Sequence, residues 1–237
     1  LRFILYADDT NIFYSGENLD QLCETVNSEL LGVMQWFETN RLSVNLKKTN
    51  FVMFGSPSKI RKLRKCEIFL DNINISRTNT AKFLGVIIDE TLSWKNHINY
   101  IKGKISKNIG IIKRLKYKLP EKTLNTLYNT LVFPYLNYCN IIWANNKPTR
   151  LKSLLVLQKR AMRVITNSPY NTHALPLFFK LNQLTIYDIN KLLIATFMFR
   201  HHRNCLPSIF SGSFCIISTI HNHFTRGSNK LHVSFAR

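Results

Sequence analysis

The spacing of apolar residues changes near residue 91 of this 237-residue chain. Before that point, short runs of β-branched and aromatic residues, such as "FILY" and "KFLGVIID", are typical of strands. After it, apolar residues recur every three or four positions from Trp94 to Leu119, which is the period of a helix with one buried side. The pattern predicts an α+β fold in which antiparallel hairpins and a packed helix precede an all-α bundle.

The charge divides at the same place. Residues 1–90 hold 11 basic and 11 acidic side chains, whereas residues 91–237 hold 22 basic side chains and only two acidic ones, Glu121 and Asp188. The whole net charge of +20 therefore lies in the second part. This distribution predicts chemistry in the first part and binding of a polyanion in the second. Interleaved aromatic residues favour nucleic acid over the two alternatives, a membrane surface or a merely soluble basic bundle.

Helical spacing predicts an amphipathic helix in "GENLDQLCETVNSELLGVMQWFETNR" and four more helices over residues 92–119, 120–134, 148–166 and 186–201. Pro134 is expected to end or kink the third of these five. A strand is predicted at Phe51–Phe54. Two further strands, "CEIFLDNINIS" and "AKFLGVIID", are predicted after the basic loop "SKIRKLRK". The tail from Cys205 has no clear period and is expected to be loop-rich.

Asp8 and Asp9 stand side by side in "FILYADDTNIFYSG", between two runs of strand type. The pattern predicts a hairpin with both carboxylates at its turn. Asp is a common turn residue, so one interpretation is ordinary turn chemistry. The other is a divalent metal site, because adjacent carboxylates beside apolar strands need a compensating cation and Mg²⁺ prefers oxygen ligands. Spacing alone leaves both interpretations open.

The five cysteines, at positions 23, 66, 139, 205 and 215, are odd in number and form no CxxC pair. This usage argues against a disulfide framework and against a thiolate metal site, and it favours a reducing compartment. The expected location is intracellular, in the nucleus, the cytoplasm or both. Cys205, Cys215, His221 and His223 have irregular spacings, so no zinc is expected. No apolar run approaches the roughly 18 residues that cross a bilayer, so no membrane-spanning segment is expected.

Several blocks of sequence occur in the order in which one known family has them. They are "YADDT", "WFETNRLSVNLKKTNFVMFG", "KFLGVIID" with "LSWKNHINYIKGKISKNIGII", "LYNTLVFPYLNYCNIIW" and "LQKRAMRVIT". Over nearly the whole chain they resemble the reverse transcriptase of non-LTR (LINE-type, jockey-like) retrotransposons. The tail "TRGSNKLHVSFAR" resembles the segment that follows the thumb in those proteins.

The resemblance implies an RNA-directed DNA polymerase that uses two metal ions, Mg²⁺ or Mn²⁺, for nucleotidyl transfer. It implies that Asp8 and Asp9 are catalytic metal ligands on the palm hairpin. Lys48 falls where a residue is proposed to protonate the pyrophosphate leaving group, with Lys47 as its competitor and a solvated lysine as the alternative. The segment Phe83, Leu84 and Gly85 falls in the hairpin that grips the primer end.

The basic helices resemble the thumb, so the implied partners are an RNA template and a DNA primer, paired as an RNA/DNA hybrid. Deoxynucleoside triphosphates are the implied substrates of the intact enzyme. Neither a membrane nor zinc is expected as a partner. The residues predicted to contact nucleic acid are Tyr6, Lys102, Lys107, Lys113, Arg114, Lys152, Lys159 and Arg163.

The chain departs from the family in one respect. The family carries a second essential aspartate on a palm strand upstream of YADD, and neither Asp71, Asp89 nor Glu90 stands at that place. The chain is therefore expected to be a fragment that is inactive alone. Residues 1–90 are expected to form the C-terminal part of the palm, residues 91–170 a thumb-like domain, and residues 171–237 a helical and loop-rich extension. The alternative is a non-catalytic, basic nucleic-acid-binding remnant or domesticated module.

Overall fold

A computed structural model describes residues 1–62, 66–145, 148–210, 212–215 and 217–220. The chain divides into two compact units. The first comprises Leu1–Lys107 and Asn146–Ser153, and the second comprises Asn108–Asn145 and the chain from Leu154 onward. The mixed helical and strand content is confirmed, whereas the palm, thumb and extension over residues 1–90, 91–170 and 171–237 stay a prediction. His221, His223 and the tail "TRGSNKLHVSFAR" lie outside the described residues.

The first unit opens with the predicted hairpin. Strands β1 (Arg2–Tyr6) and β2 (Asp9–Phe13) pair antiparallel, with Tyr6 opposite Asp9. This register leaves Ala7 and Asp8 as a two-residue turn, and Ala7 has a φ of 53°. Two-residue hairpin turns use positive φ because it matches the twist of the flanking strands. Both carboxylates therefore lie at the tip of the hairpin.

Helix α1 (Leu19–Thr39) follows and packs on a small sheet. Its first turn is capped by Asn18, whose Oδ1 accepts a hydrogen bond of 2.9 Å from the backbone N–H of Asp20. The sheet contains β3 (Asn50–Phe51), β4 (Ile68–Leu70) and β5 (Ile73–Arg77) in the order β3-β5-β4, and β3 runs parallel to β5. The buried cluster between helix and sheet consists of Leu30, Ile68, Leu70 and Ile75.

The two remaining predicted strands are in fact two hairpins. Strands β4 (Ile68–Leu70) and β5 (Ile73–Arg77) form the first, and β6 (Thr80–Phe83) and β7 (Val86–Asp89) form the second. Both turns have two residues with positive φ, at Asp71 and Asn72 in one and at Leu84 and Gly85 in the other. Leucine disfavours this backbone region, so its presence gave no turn signal in the sequence.

The predicted strand at Phe51–Phe54 is wrong beyond Phe51. After that residue the chain leaves the sheet, and the backbone N–H of Gly55 donates to the carbonyl of Glu90 at 3.0 Å. The predicted basic loop contains helix α2 (Pro57–Lys62). Six residues are too few for a helical period to be recognised in a sequence.

Cys23 of α1 and Cys66 form a disulfide bond, so the prediction against disulfides is wrong for this pair. They lie 43 residues apart in sequence, and their Cα atoms come within 6.3 Å because α1 packs beside β4. Asn27, one turn further along α1, joins the same two elements. Its Nδ2 donates to the carbonyl of Glu67 at 3.0 Å, and its Oδ1 accepts from the backbone N–H of Phe69 at 2.8 Å.

Helix α3 (Lys95–Leu115) begins beside the buried carboxylate of Asp89 at the end of β7. Oδ1 accepts hydrogen bonds of 2.8 Å from the Thr91 hydroxyl and from the backbone N–H of Ser93, and Oδ2 accepts one of 2.7 Å from the backbone N–H of Trp94. Burial raises the pKa of Asp89, but these hydrogen bonds outweigh that effect and hold the pKa below its usual value.

The next buried polar side chain of α3 is His97. Its Nδ1 accepts a hydrogen bond of 3.2 Å from the backbone N–H of Ile87 on β7. Burial lowers the pKa of His97, which favours the neutral ring that this acceptor role requires. The first turn of α3 is thus attached to β7 by two buried polar side chains.

The second unit is helical. The longer predicted helices are confirmed, except that the helix predicted over residues 120–134 ends at Leu131, and Pro134 lies in the first turn of the next helix. The short helices α5 (Phe133–Asn137), α6 (Asn140–Trp143) and α8 (Leu175–Lys180) were missed because each has fewer than two turns. Among the described residues, no helix is both long and apolar enough to cross a membrane. The helices are α4 (Glu121–Leu131), α5 (Phe133–Asn137), α6 (Asn140–Trp143), α7 (Pro148–Ile165, its first residues in the first unit), α8 (Leu175–Lys180) and α9 (Ile186–His202).

Gln158 of α7 is the polar centre of this unit and is fully buried. Its Nε2 donates to the hydroxyl of Tyr128 at 3.0 Å and to the carbonyl of Leu184 at 3.1 Å. Its Oε1 accepts from the backbone N–H of Ile186 at 2.7 Å. Burial raises the pKa of Tyr128 to about 12, although the hydrogen bond from Gln158 opposes the shift. One amide therefore fixes α4, α7 and the start of α9 together.

Replacing Asp89 with Ala should lower the free energy of unfolding by about 3 kcal/mol, because several N–H and O–H donors lose a charged acceptor. The folded-state pKa is lowered, so this contribution is present at neutral pH and is lost as the pH falls through that pKa. Urea unfolding followed by tryptophan fluorescence would measure it. The control is Glu29→Ala on the exposed side of α1, expected within about 0.5 kcal/mol of wild type. Equal losses in both variants would contradict the role of Asp89.

Candidate active site and nucleic-acid interface

The paired carboxylates occupy the tip of the first hairpin. Asp8 lies in the turn, Asp9 begins β2, and both are exposed. Tyr6, opposite Asp9 in the register, leaves 62% of its surface accessible. The strands beside them fix the backbone through five paired positions, so both carboxylates are held on a short, defined turn. They are accessible to a ligand from solvent.

A ring contact joins this hairpin to the one that carries the predicted primer-grip residues. Phe13, at the end of β2, meets Phe83, at the end of β6, edge to face with ring centroids 6.3 Å apart. Such aromatic pairs add about 0.5–1.5 kcal/mol beyond their burial. Leu84 and Gly85 form the turn that follows, with φ of 44° and 84°. The contact therefore joins the two hairpins at the end of β2 that lies away from the turn of Asp8 and Asp9.

Gly85 is the second residue of the two-residue turn between β6 and β7. In the structure its φ lies in the left-handed region, which glycine adopts without the steric cost that other residues pay. The turn itself accounts for a glycine at this position. The primer-grip role of Phe83, Leu84 and Gly85 stays a prediction.

Lys48 is exposed in the turn that precedes β3. Its backbone N–H donates to the carbonyl of Asn45 at 3.0 Å, and Asn45 also accepts from the Thr49 hydroxyl. Within the described residues, no hydrogen bond or ion pair connects Lys48 with Asp8 or Asp9. Its assignment as a proton donor stays a prediction, as does the competing assignment of Lys47.

The carboxylates fit part of a metal site. Mg²⁺ is commonly bound by one or two protein carboxylates, with water and substrate phosphates completing its six ligands. Asp8 and Asp9 supply such a pair. Across the described ranges, no group of three or more His, Cys, Asp or Glu side chains is arranged to hold a metal ion. The donor set therefore fits a site that substrate oxygens complete.

The predicted nucleic-acid contacts differ in accessibility. Lys102, Lys107 and Lys152 are exposed in the first unit, as are Lys113 and Arg114 in the second. The last two predicted contacts are half-buried, namely Lys159 and Arg163. The second of these has a structural role as well, since its Nε donates to the carbonyl of Thr172 at 2.8 Å. The exposed lysines and Arg114 are thus the stronger candidates for phosphate contacts.

Sequence reasoning missed Phe13 and Asp89. Phe13 was assigned only to a strand, and a ring contact with a residue 70 positions away leaves no trace in local spacing. Asp89 had a usable signal: it is followed by Thr91 and Ser93, a pattern in which an Asp side chain accepts from nearby backbone donors.

Comparison with curated proteins confirms the resemblance. The chain is 23% identical over 215 residues to a protein of Drosophila melanogaster described as "Probable RNA-directed DNA polymerase from transposon X-element", covering 88% of the chain and 23% of that protein. It is 27% identical over 189 residues to the corresponding protein of transposon BS from the same species, covering 77% and 20%. It is 26% identical over 171 residues to the RNA-directed DNA polymerase from mobile element jockey of Drosophila funebris, covering 70% and 18%.

These relatives are RNA-directed DNA polymerases of non-LTR retrotransposons, and the chain is similar to them in sequence. It spans about a fifth of the length of each. No protein-family model matches the chain, and no solved structure matches it significantly. The similarity therefore rests on whole-sequence comparison with curated proteins.

If Asp8 and Asp9 act as a pair, the purified chain should bind Mn²⁺ weakly. The double variant Asp8→Asn, Asp9→Asn should reduce the bound metal at least about threefold, because carboxylate oxygens supply the charge that holds the ion. Electron paramagnetic resonance of free Mn²⁺ measures the bound fraction. Asp71→Asn is the matched control, since Asp71 is an exposed carboxylate in another two-residue hairpin turn. Equal binding by the double variant and the control variant would show that the pair is not a metal site.

Proposed function

We propose that this chain is part of an RNA-directed DNA polymerase of a non-LTR retrotransposon and carries its metal-binding hairpin and template-holding helices. The observation that carries the proposal is the contact between Phe13 and Phe83. It joins the hairpin that carries the two exposed carboxylates to the hairpin that carries the proposed primer-grip segment, at the end of β2 away from the carboxylates, and so supports a site built from both hairpins. The similarity to polymerases of the X-element, BS and jockey supports the same function.

In the proposed reaction, Asp8 and Asp9 hold divalent metal, and Phe83, Leu84 and Gly85 hold the primer end. Bound Mg²⁺ or Mn²⁺ supplies charge neutralisation at the phosphates of the incoming deoxynucleoside triphosphate, in a two-metal nucleotidyl transfer. Lys48 donates a proton to the pyrophosphate that leaves. The rigid, paired strands limit the movement of both carboxylates, so that little reorganisation is needed when substrate binds.

The basic helices hold the RNA/DNA hybrid of template and primer. The phosphate backbone is their target, because the excess charge of the chain follows residue 90 and phosphate contacts depend on charge rather than on base sequence. Lys102 and Lys107 are exposed on α3, as are Lys113 and Arg114 nearer its end. The proposed location is intracellular, in the nucleus, the cytoplasm or both.

A second function, nucleic-acid binding without catalysis, is favoured by one observation. Within the described residues, Asp8 and Asp9 have no third carboxylate arranged with them as a metal site. Nucleotidyl transfer with two metal ions requires enough protein ligands to hold both ions. We therefore propose that this chain alone is inactive, and that activity requires a carboxylate from elsewhere in a longer polypeptide.

Primer extension tests this proposal. The 237-residue chain should not extend a primer on an RNA template, whereas a longer polypeptide that includes the upstream coding sequence should. In that polypeptide, Asp8→Asn should lower extension at least about a hundredfold while template binding stays within about twofold, because a metal ligand acts on chemistry rather than on phosphate contacts. Asp71→Asn is the control. Robust extension by the 237-residue chain would overturn the proposed inactivity, and unchanged extension by Asp8→Asn would overturn the metal role.

Salt dependence tests the template-holding role. If the chain neutralises about five phosphates, the logarithm of its affinity for an RNA/DNA hybrid should fall with the logarithm of salt concentration at a slope of about −4 to −5. The double variant Lys102→Glu, Lys107→Glu should make this slope shallower by about 2, because each lost phosphate contact reduces the magnitude of the slope by about 0.9. The control pair Lys59→Glu and Lys62→Glu carries the same charge change on exposed residues of α2 and should leave the slope unchanged. Equal slopes for both pairs would contradict the assignment.

A further inference from the structure

Two tyrosine rings in the second unit are almost entirely exposed. Tyr170 leaves 89% of its surface accessible, and Tyr117 leaves 79%. Each ring gains little from burial where it lies, and burying a large aromatic side chain against a partner would be favourable. Each also lies beside a cation: Lys116 Nζ is 4.5 Å from the ring centroid of Tyr117, and Arg163 Cζ is 5.7 Å from that of Tyr170.

The two tyrosines follow the ends of two helices that a hydrogen bond joins. Tyr117 comes two residues after α3, and Tyr170 comes five residues after α7. Lys116 Nζ, which contacts the Tyr117 ring, also donates to Oδ1 of Asn167 at 2.9 Å. Asn167 lies two residues after the end of α7 and has a φ of 50°. Its hydrogen bond with Lys116 therefore joins the turn after α3 to the turn after α7.

The segment that carries Tyr170 is held in place by hydrogen bonds. The backbone N–H of Thr172 donates to the carbonyl of Pro169 at 3.1 Å, which closes a turn around Tyr170. Arg163 Nε donates to the carbonyl of Thr172, so the cation beside the ring also holds its turn. We call Lys116, Tyr117, Arg163, Asn167 and Tyr170 the tyrosine platform.

The surroundings of the platform are cationic. Lys113, Arg114 and Lys118 are exposed in the last turn of α3 and just beyond it. The second unit has only two acidic residues in its sequence, and both carboxylates are occupied in the structure: Glu121 pairs with Lys180 at 2.6 Å, and Asp188 accepts from the Thr185 hydroxyl at 2.6 Å. A partner for this surface is therefore anionic and offers flat apolar faces.

We propose that the tyrosine platform binds the unpaired nucleotides of a single-stranded nucleic acid, with bases stacking on Tyr117 and Tyr170 and phosphates contacting the surrounding cations. Unpaired bases offer both faces for stacking, whereas the bases of a duplex are stacked on one another. The platform thus selects single strands, while the exposed lysines of α3 bind any phosphate backbone. This inference deepens the proposed function and rests on it.

Fluorescence anisotropy with the full chain and a labelled 15-nucleotide oligo(U) tests the proposal. Tyr117→Ala and Tyr170→Ala should each weaken binding about fivefold to a hundredfold, which is the usual cost of losing one stacking ring. Tyr117→Phe and Tyr170→Phe retain the ring and should bind within about twofold of wild type. Phe179→Ala is the matched control, because Phe179 is 80% exposed in the same unit and lies outside the platform. Circular dichroism verifies that each variant is folded.

A blunt-ended RNA/DNA hybrid in the same assay separates this inference from the proposed function. The alanine variants should bind the hybrid within about twofold of wild type, because phosphate contacts remain. If both alanine variants bind the hybrid and oligo(U) as tightly as the wild type does, the platform is overturned and the proposed function stays intact. Binding of neither nucleic acid would overturn both. Binding to phosphatidylserine vesicles is measured for the same proteins. If the alanine variants lose vesicle binding that the wild type shows but retain oligo(U) binding, the platform belongs to a membrane surface and the inference is overturned.

Discussion

The carboxylate of Asp89 makes the attachment on which the arrangement of the first unit depends. It ends β7 and accepts hydrogen bonds from the backbone N–H groups of Ser93 and Trp94, the two residues just before α3, so the change from strand to helix occurs around one buried anion. Unpaired donors at a helix start are costly when buried, and a carboxylate satisfies several of them at once. His97 attaches the same helix to the same strand a few residues later. The β6–β7 hairpin, and through Phe83 the hairpin of Asp8 and Asp9, are thereby connected to α3.

The sequence predicted the long elements because their apolar periods extend over many residues. The isoleucines of α3 that recur every three or four positions are buried as expected, namely Ile98, Ile101, Ile105, Ile109 and Ile112. It did not predict the split of "AKFLGVIID" into two strands, because Leu84 occupies a left-handed turn position that normally favours Asn, Asp or Gly. The Cys23–Cys66 bond was missed for another reason: it depends on the packing of α1 against β4, which local spacing does not encode.

The hairpin that carries the candidate site was predictable, whereas the contacts around it were not. Adjacent aspartates between two strand-type runs were sufficient to place Asp8 and Asp9 at a hairpin tip, since the turn follows from local chemistry. Net charge was sufficient to separate a neutral part from a cationic one. Which side chains meet was beyond reach: neither the Phe13–Phe83 contact nor the engagement of Arg163 with Thr172 leaves a signal at short sequence separation.

Two independent kinds of interaction attach α1 to β4: a disulfide bond and non-covalent contacts. The disulfide is covalent and depends on the redox state of the surroundings, whereas the amide of Asn27 and the apolar packing of Leu30 do not. If the disulfide is reduced to two thiols, the Asn27 side chain still donates to the carbonyl of Glu67 and accepts from the backbone N–H of Phe69. The first unit is therefore equipped to keep the same helix-to-sheet packing in an oxidising and in a reducing compartment.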